Sequence, residues 1–380
     1  MLLSEQREID MIDVLLSDQH VGRISASPDG VAAFEYSPKW LENGFSISPF
    51  SLPLRKGVFI AQAHPLNGIF GVFNDSLPDS WGRLLVDRML LEKGINPQTV
   101  GFLTRLAIVG SSGSGALEYQ PAIEGLSHQT VNDLDRIARD CARILESQSA
   151  DDLDALFTMG GSSGGARPKV FYEIDGQDWI VKFPSSLDPK DIGIAEYKLA
   201  LAAEKSGIVM PEVKLLPSSA CSGYFATKRF DREKKQSGVL KKTHMVSVSG
   251  LLETSHRTPN LDYDLLLRLT LRLTDSPKEV ERMYRLMVFN VLCGNRDDHS
   301  KNFTFVYSEH DGWRLSPGYD LTSNAGMFGE RATTVNGKGK DITKSDLLEV
   351  ATRAGIPQAQ AISIIEQTRA ALLEIDALQE

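Results

Sequence analysis

The chain has 380 residues, of which 42% are hydrophobic, and its formal net charge is −9. This length permits two or three domains or lobes with ample buried core, and the negative charge argues against broad nonspecific binding of nucleic acid. The sequence shows no basic apolar leader, no long apolar run and no paired cysteine spacing, so we expect a cytoplasmic protein without disulfide framework, zinc site or membrane contact.

The first 110 residues have the pattern of short strands and turns, with the clearest hairpin turn at Pro28-Asp29-Gly30. Helical spacing follows from Ser80 to Lys93. Residues 111–114 form a small-residue loop, and the apolar residues between Val131 and Ser147 lie on one side of a predicted helix. A domain boundary is expected near Asp151.

A run of six small residues, Gly160 to Gly165, leads into a predicted strand from Val170 to Ile174. The turn Asp175-Gly176 and a second strand carrying Lys182 follow. Such runs are most often flexible linkers, and this one is neither G-x-G-x-x-G nor a Walker A motif. However, a loop, a strand, a turn and a Lys-bearing strand occur in this order in kinases, where the loop amides and the Lys bind ATP phosphates.

An amphipathic helix is predicted from Ile192 to Ser206, with Gly207 as the residue that ends it. Glu196 on this helix has the place of the kinase Glu that pairs with the phosphate-binding Lys, although a solvated surface Glu is the more common situation. Strands are expected over 210–216 and 223–230.

The sequence Ser276-Pro277-Lys278-Glu279 has the pattern of a capping box with Pro at the first helical position, opening a helix through Cys293. Beyond it, Asp297 precedes Asn302 by five residues. In protein kinases this spacing separates the Asp that accepts the substrate hydroxyl proton from the Asn that holds a Mg²⁺ ion. Asp298 lies four residues before Asn302 and is the poorer base, while a solvated turn is the non-catalytic alternative.

Two β-type runs, Phe303 to Tyr307 and Trp313 to Leu315, are predicted to pair as a hairpin. Asp320 would then emerge beside the loop as the second Mg²⁺ ligand. His299 would contact phosphate or order the loop, with a structural hydrogen-bonding histidine as the alternative. Lys301 would neutralise the γ-phosphate or remain a surface residue.

The motifs GGSSGGARPK, VKFP, AEYKLA, KRFDR, NRDDHSKNF and YDLTS, in this order, resemble the HipA family of bacterial serine/threonine kinases, the toxins of HipA/HipB toxin–antitoxin pairs. VGRI with PDG, SLPL and FNDSLPD are similar to the N-terminal subdomain of full-length HipA proteins, so the resemblance covers most of the chain. It implies an α+β, bilobal, protein-kinase-like fold with a small β-rich N-terminal subdomain and a helical C-terminal lobe.

We expect four regions: an N-terminal subdomain (1–110), a connecting helix region (111–150), a kinase N-lobe core (151–235) and a helical C-lobe (236–380). Helices near 344–353 and 357–378 complete the C-lobe.

The resemblance also assigns residues that spacing alone does not. Ser163, Gly164 and Gly165 would line the ATP phosphates, and backbone groups around Arg229 and Phe230 would form the hinge that binds adenine. Ser162 matches the serine that is autophosphorylated in the family, with neighbouring Ser163 as the alternative. A phosphate of about −2 charge at that point would repel ATP and silence the enzyme.

Together these features predict a kinase that uses ATP and Mg²⁺ to phosphorylate a protein. By resemblance, the target would be an aminoacyl-tRNA synthetase or another translation component. The partner would be a HipB-like helix-turn-helix antitoxin, through which alone the chain would meet DNA. A small-molecule kinase and a catalytically silent ATP-binding component of a repressor complex are the alternatives.

Overall fold

The computed structural model describes residues 9–123, 133–148, 150, 153–234, 240–324, 326 and 328–376. The chain divides into two compact units that are not contiguous in sequence. The first unit comprises Met1–Gly193, Leu215–Val246 and Gly250–Thr254, and the second comprises Ile194–Lys214, Ser247–Ser249 and Ser255–Glu380. The boundary expected at Asp151 lies outside the described residues.

A five-stranded antiparallel sheet opens the first unit. Its strands are β1 (Met11–Leu16), β2 (Gln19–Ala26), β3 (Ala32–Tyr36), β4 (Val58–Ile60) and β5 (Leu117–Gln120), in the order β4-β3-β2-β1-β5. Alternate residues of β1, Ile12 and Val14, are fully buried, as expected for a sheet with one face on a core. The predicted hairpin turn joins β2 to β3, with Gly30 at φ +78°.

Six helices of the first unit follow the chain: α1 (Pro38–Asn43), α2 (Gly71–Asn74), α3 (Ser80–Glu92), α4 (Phe102–Val109), α5 (Leu134–Leu145) and α6 (Leu153–Gly160). The helix predicted from Ser80 is confirmed as α3. Of the helix predicted over 131–147, α5 is present, while Val131 and Asn132 lie outside the described residues. α6 was not predicted, because Leu153 to Gly160 is too apolar to show an amphipathic pattern.

A four-stranded sheet, in the order β6-β7-β9-β8, carries the predicted Lys-bearing hairpin. β6 (Lys169–Ile174) and β7 (Gln177–Lys182) pair in antiparallel register across Asp175-Gly176, as predicted. β9 (Tyr224–Lys228) pairs with β7. β8 (Val213–Leu216) is the edge strand next to β9. The strands β10 (Arg232–Lys234), β11 (Leu240–Lys242) and β12 (His244–Ser247) follow in sequence. One buried core joins this sheet to α3 and α6 through Trp81, Phe157, Val170 and Trp179.

The second unit is mainly helical. Its helices are α7 (Ile192–Lys205), α9 (Tyr263–Thr274), α10 (Pro277–Leu292), α11 (Lys344–Arg353) and α12 (Gln358–Asp376), with α8 (Val248–Leu252) crossing a boundary between the units. β13 (Leu261–Asp262) pairs in parallel with β16 (Thr333–Thr334). β14 (Thr304–Ser308) and β15 (Gly312–Leu315) form the predicted hairpin. Within the described ranges, no helix is both long and apolar enough to cross a membrane.

The start of α10 corrects one prediction. Ser276 is its N-cap residue and Pro277 stands in the first turn, as expected, but the Ser276 side chain makes no capping hydrogen bond. The Glu279 carboxylate instead accepts from the Leu315 amide at 2.9 Å and from Arg282 at 2.7 Å. The capping box is therefore wrong: Glu279 is buried and joins the helix to β15 rather than to its own N-terminus.

Candidate active site

The loop between α10 and β14 places two consecutive aspartates in opposite environments. Asp297 is exposed, whereas Asp298 is fully buried with 0% exposure. The loop follows Gly294, which has φ +71°, and ends in a single 3₁₀ turn over Ser300–Asn302. Of the two carboxylates, only that of Asp297 can meet a substrate, and the five-residue spacing favours the same residue.

Three predicted residues organise the remainder of this loop. The Asn302 amide donates to the Asp297 carbonyl at 2.8 Å. His299 Nδ1 accepts from the Lys301 backbone amide at 3.3 Å, so the histidine caps the 3₁₀ turn. Lys301 is partly exposed. The structure thus gives His299 a role in ordering the loop, which was one of its two predicted roles.

The segment carrying Asp320 is attached to this loop. Asp320 is partly buried and adopts φ +55°. The adjacent Tyr319 hydroxyl donates to the Lys301 carbonyl at 2.6 Å. Further along, Asn324 accepts from the Arg296 amide and donates to the Asn295 side chain, both at 3.2 Å. Asp297, Asn302 and Asp320 therefore lie on segments that hydrogen bonds hold together within the second unit.

The oxygen donors at this site fit Mg²⁺. Because the Asn302 NH₂ group is engaged by the Asp297 carbonyl, its side-chain oxygen is the atom left to accept a metal. Mg²⁺ in nucleotide enzymes is commonly held by one or two protein oxygens together with phosphates and water, and Asn302 and Asp320 would supply such a pair. No group of three or more His, Cys, Asp or Glu side chains suited to a metal occurs among the described residues.

In the first unit, most of the Gly- and Ser-rich loop is buried and held by hydrogen bonds. Ser162 is 9% exposed and donates to the Ser112 carbonyl at 3.0 Å, while Ser163 is 1% exposed and donates to the Gly160 carbonyl at 2.6 Å. Gly164 is exposed, and Gly165 adopts φ +84°, which favours glycine. This is an ordered loop rather than a linker.

The N-terminus of α3 holds this loop, and the sequence did not suggest it. Asp79 is the N-cap residue of α3, yet its carboxylate does not cap the helix and accepts from the Gly165 amide instead. The Trp81 amide donates to the Gly165 carbonyl at 3.1 Å, and the Trp81 indole donates to the Lys169 carbonyl at 3.0 Å. An Asp at the N-terminus of a predicted helix was the available sequence signal. Only the fold shows that its carboxylate binds the loop instead of capping the helix.

Two further predicted residues belong to different units. Lys182 ends β7, with its ammonium 5.5 Å from the centre of the Phe225 ring. Glu196 lies on α7 and is only 4% exposed, so it is not the solvated surface residue that a helical Glu usually is. Their pairing stays a prediction.

Arg229 takes part in a buried ion cluster. Its guanidinium donates twice to Asp231, at 3.0 and 2.8 Å, and lies 4.2 Å from the Phe171 ring centre. Arg232 also pairs with Asp231, at 3.0 Å. Burial would raise the pKa of Asp231, but the two guanidinium groups and the Gly115 amide bring it down to about 2. Because the Arg229 amide donates to the Asp178 carbonyl at 2.8 Å, its side chain and amide both serve the fold, and binding of ATP at Arg229 and partly buried Phe230 stays a prediction.

Comparison with known proteins gives relatives that span nearly the whole chain. The protein named "Putative kinase Y4dM" of Sinorhizobium fredii is 26% identical over 383 residues, covering 95% of this chain and 90% of its own. "Putative kinase Y4mE" of the same organism is 28% identical over 350 residues, covering 83% and 77%. The HipA chain from the solved complex of Shewanella oneidensis HipA, HipB and operator DNA has a TM-score of 0.72 at 18% identity, covering 96% of this chain and 91% of that one.

The structural similarity shows an α+β, HipA-like fold. In this chain a small β-rich region comes first in sequence and a mainly helical region comes last. The two matching family models also divide the chain into an N-terminal and a C-terminal part. The HipA N-terminal domain matches residues 12–120, and the HipA-like C-terminal domain matches residues 161–375. Since the second match alone spans more than half of its residues, the chain belongs to the HipA family.

Proposed function

We propose that this protein is an ATP-dependent kinase that phosphorylates a serine or threonine hydroxyl of a protein. The observation that carries the proposal is the pairing of an exposed Asp297 with Asn302, whose side chain is fixed on the Asp297 carbonyl. The spacing and the local geometry both match what phosphoryl transfer needs, a proton acceptor next to a metal-holding amide. The kinase names of the two relatives support the same class of reaction.

Each predicted site residue then has one task. Asp297 orients the acceptor hydroxyl and takes its proton, Lys182 holds the α- and β-phosphates, and the Gly164 and Gly165 backbone lies along the phosphates. Asn302 and Asp320 would hold Mg²⁺, which neutralises charge developing on the phosphate oxygens. Nearly all the acceleration would come from positioning and charge stabilisation rather than from covalent chemistry.

The serine loop supplies a proposed self-inactivation. Both hydroxyls donate to backbone carbonyls and are nearly buried, so the loop must open before either serine accepts a phosphate. Ser162 is the more exposed of the two and is our proposed site. A phosphate on Ser162 would be too large for the position that its hydroxyl now occupies against the Ser112 carbonyl, so the loop would stay open. The open loop could then no longer bind the phosphates of ATP.

A HipB-like antitoxin is the proposed partner, because the structural relative was solved together with HipB and operator DNA. We propose that this chain reaches DNA only through such a partner, since its net charge of −9 opposes direct nonspecific binding. For the phosphorylated target we propose an aminoacyl-tRNA synthetase or another translation component, on the family resemblance alone.

The test is incubation of the purified protein with γ-labelled ATP and Mg²⁺, followed by mass spectrometry of the labelled residue. We expect label on Ser162 in the wild-type protein. In Asp297→Asn the rate of labelling should fall roughly 100-fold or more, because the general base is removed. Asp311→Asn, an exposed Asp at the β14–β15 turn, is the matched control and should keep full activity.

Label that survives in Asp297→Asn would contradict the assigned base. Transfer to a small molecule without any labelled protein would contradict the proposed substrate class. ATP binding without transfer to any acceptor would refute the kinase assignment itself.

A further inference from the structure

The buried carboxylate beside the proposed base accepts three hydrogen bonds. Asp298 Oδ2 accepts from the Arg331 guanidinium at 2.7 Å and from the Tyr263 hydroxyl at 2.8 Å, and its Oδ1 accepts from the Thr333 amide at 3.2 Å. Arg331 is 6% exposed, so both charges of this ion pair are removed from water. A buried pair of this kind is costly unless its charged groups are well paired and hydrogen-bonded. Here both carboxylate oxygens of Asp298 accept hydrogen bonds, while Arg331 Nε is buried without a hydrogen-bond partner among the described residues.

The same segment holds the backbone of the catalytic loop. Arg331 donates to the Asn295 carbonyl at 2.7 Å, the Ala332 amide donates to the Arg296 carbonyl at 3.0 Å, and the Thr333 hydroxyl donates to the Asp298 carbonyl. The carbonyl of the remaining residue, Asp297, accepts from the Asn302 side chain. All four consecutive carbonyls from 295 to 298 are therefore fixed, three of them by the segment 331–333.

A second path leads from Asp298 to the amide of Asp297. Tyr263, which donates to Asp298, accepts from the Asn290 amide at 3.0 Å. The Asn290 side-chain oxygen accepts from Asn295 at 3.0 Å, and the Asn295 side-chain oxygen accepts from the Asp297 amide at 3.2 Å. Burial and the adjacent Asp298 charge raise the pKa of Tyr263 well above its ordinary range, so the phenol remains a donor.

We propose that Asp298 and Arg331 are positioning residues for Asp297. Their buried ion pair fixes the loop backbone, and the hydrogen bonds through Tyr263, Asn290 and Asn295 fix the Asp297 amide. Because its backbone is held in this way, the exposed Asp297 carboxylate keeps one orientation. This inference rests on the proposed kinase activity, in which Asp297 is the base. Neither residue touches substrate, and their effect is exerted on turnover rather than on nucleotide binding.

The experiment compares Asp298→Asn with Asp264→Asn. Asp264 is the matched control, because its carboxylate forms an ion pair in the same unit at a partly exposed position, with Arg353 rather than with Asp298 or Arg331 as its partner. Steady-state kinetics should show kcat reduced roughly 10- to 100-fold in Asp298→Asn with KM for ATP within about twofold, since misplaced catalytic groups lower the rate without loss of binding. Asp264→Asn should leave both unchanged.

A double variant, Asp298→Asn with Arg331→Met, separates positioning from stability. It removes the isolated buried charge and should recover much of the melting temperature lost in Asp298→Asn, while kcat stays low. Recovery of both would overturn the proposal, because the pair would then serve stability alone. An Asp298→Asn kcat within about twofold of wild type, measured well below its melting temperature, would also overturn it.

Amide hydrogen exchange of residues 294–302 without nucleotide gives a readout that needs no activity. Asp298→Asn should speed exchange at the Asp297 amide and its neighbours, and Asp264→Asn should not. If the wild-type protein transfers no phosphate at all, the proposed function fails, and unchanged exchange in Asp298→Asn would separately overturn the positioning role.

Discussion

Among single residues, His244 is a buried titratable group remote in sequence from the proposed catalytic residues. It is 3% exposed, its Nε2 lies 2.8 Å from the Ile47 carbonyl, and its ring packs against Phe45 with 5.5 Å between the ring centres. Burial lowers the pKa of His244 to about 4, with the Ile47 hydrogen bond opposing only part of the shift. The neutral imidazole, donating from Nε2, is therefore the form that the folded protein holds.

The first prediction concerns stability at acid pH. An unfolded His titrates near 6.5, so between that value and about 4 the unfolded chain binds a proton that folded His244 does not. The contribution of His244 is present above pH 6.5 and is lost as the pH falls towards 4, by about 3 kcal/mol in free energy of unfolding. Urea unfolding between pH 4 and 8 measures it.

His244→Gln keeps a donor for Ile47 without a titrating group, so its stability should vary less steeply over this pH range. His310→Gln, at a 93% exposed side chain, is the control and should keep the wild-type slope. Equal slopes in all three proteins would contradict the assignment of the acid sensitivity to His244.

Asp297 and Asp298 show what residue-level sequence reasoning reaches. The five-residue spacing to Asn302 favours Asp297, and the structure separately exposes that side chain and buries its neighbour. The roles of Asp298 and Arg331 were not visible, because the two residues lie 33 positions apart in sequence and only the fold brings them together. Sequence spacing identifies functional residues within one loop, but it misses the partners that the fold brings to that loop from distant parts of the chain.

At the scale of elements, close approach of a helix to the Gly- and Ser-rich loop depends on one glycine. Gly82 lies in α3, and a Cβ atom placed on it would stand 2.2 Å from the Ser163 carbonyl oxygen and 2.9 Å from the Pro78 Cβ. The first contact is with backbone, so the loop or the helix must move to accept any side chain. The Asp79 and Trp81 bonds to Gly165 would be strained by the same movement.

The second prediction is that Gly82→Ala lowers the melting temperature and weakens Mg-ATP binding roughly tenfold or more by displacing the loop. Alanine is favoured over glycine inside a helix by about 1 kcal/mol, so a loss of stability cannot come from helix propensity. Calorimetry of binding and thermal melts measure both effects.

Gly101→Ala is the control, because a Cβ there meets no atom within 4 Å and the backbone φ of −69° suits alanine. It should change stability by less than about 1 kcal/mol and leave nucleotide binding unchanged. A Gly82→Ala protein with wild-type stability and affinity would show that the loop is not held by α3.

Elements with strong local signals were predictable, and those defined by distant packing were not. The hairpins β6–β7 and β14–β15 follow from alternation and turn residues, and α11 and α12 from helical spacing. α6 was missed because it is buried on nearly every side, and the capping box failed because Glu279 found a partner on β15. The local sequence pattern decides where a helix or strand lies, but tertiary contacts decide which side chains hydrogen-bond to its ends.

At the scale of the whole molecule, the chain leaves the first unit and returns to it. Residues 194–214 belong to the second unit, although strands of the first unit follow them in sequence. Hydrogen bonds to backbone carbonyls of this segment agree with the grouping: the Gly318 amide donates to the Val209 carbonyl at 2.8 Å, and the Arg285 guanidinium donates to the Ser206 carbonyl at 2.7 Å. The four contiguous regions expected from motifs and the family resemblance do not include such an exchange, because no local sequence pattern marks it.

The last prediction follows from this exchange. A fragment of residues 255–380 lacks α7 and the segment after it, so the partners of Gly318 and Arg285 are missing. The fragment would also lose the buried Ala202, Ala203 and Ile208, which belong to the second unit, and with them part of the unit's buried apolar surface. We expect helical far-ultraviolet circular dichroism from the fragment but no cooperative thermal transition and little near-ultraviolet signal.

Adding a synthetic peptide of residues 194–214 should restore part of the cooperative transition, with a midpoint that rises with peptide concentration, as mass action requires. A peptide of the same composition in scrambled order is the control and should have no effect. Cooperative unfolding of 255–380 by itself would mean that α7 is dispensable to the second unit, and the interleaved grouping would then have no energetic meaning. Restoration by the ordered peptide alone would show that this helix is part of the folding unit that carries Asp297, Asn302 and Asp320.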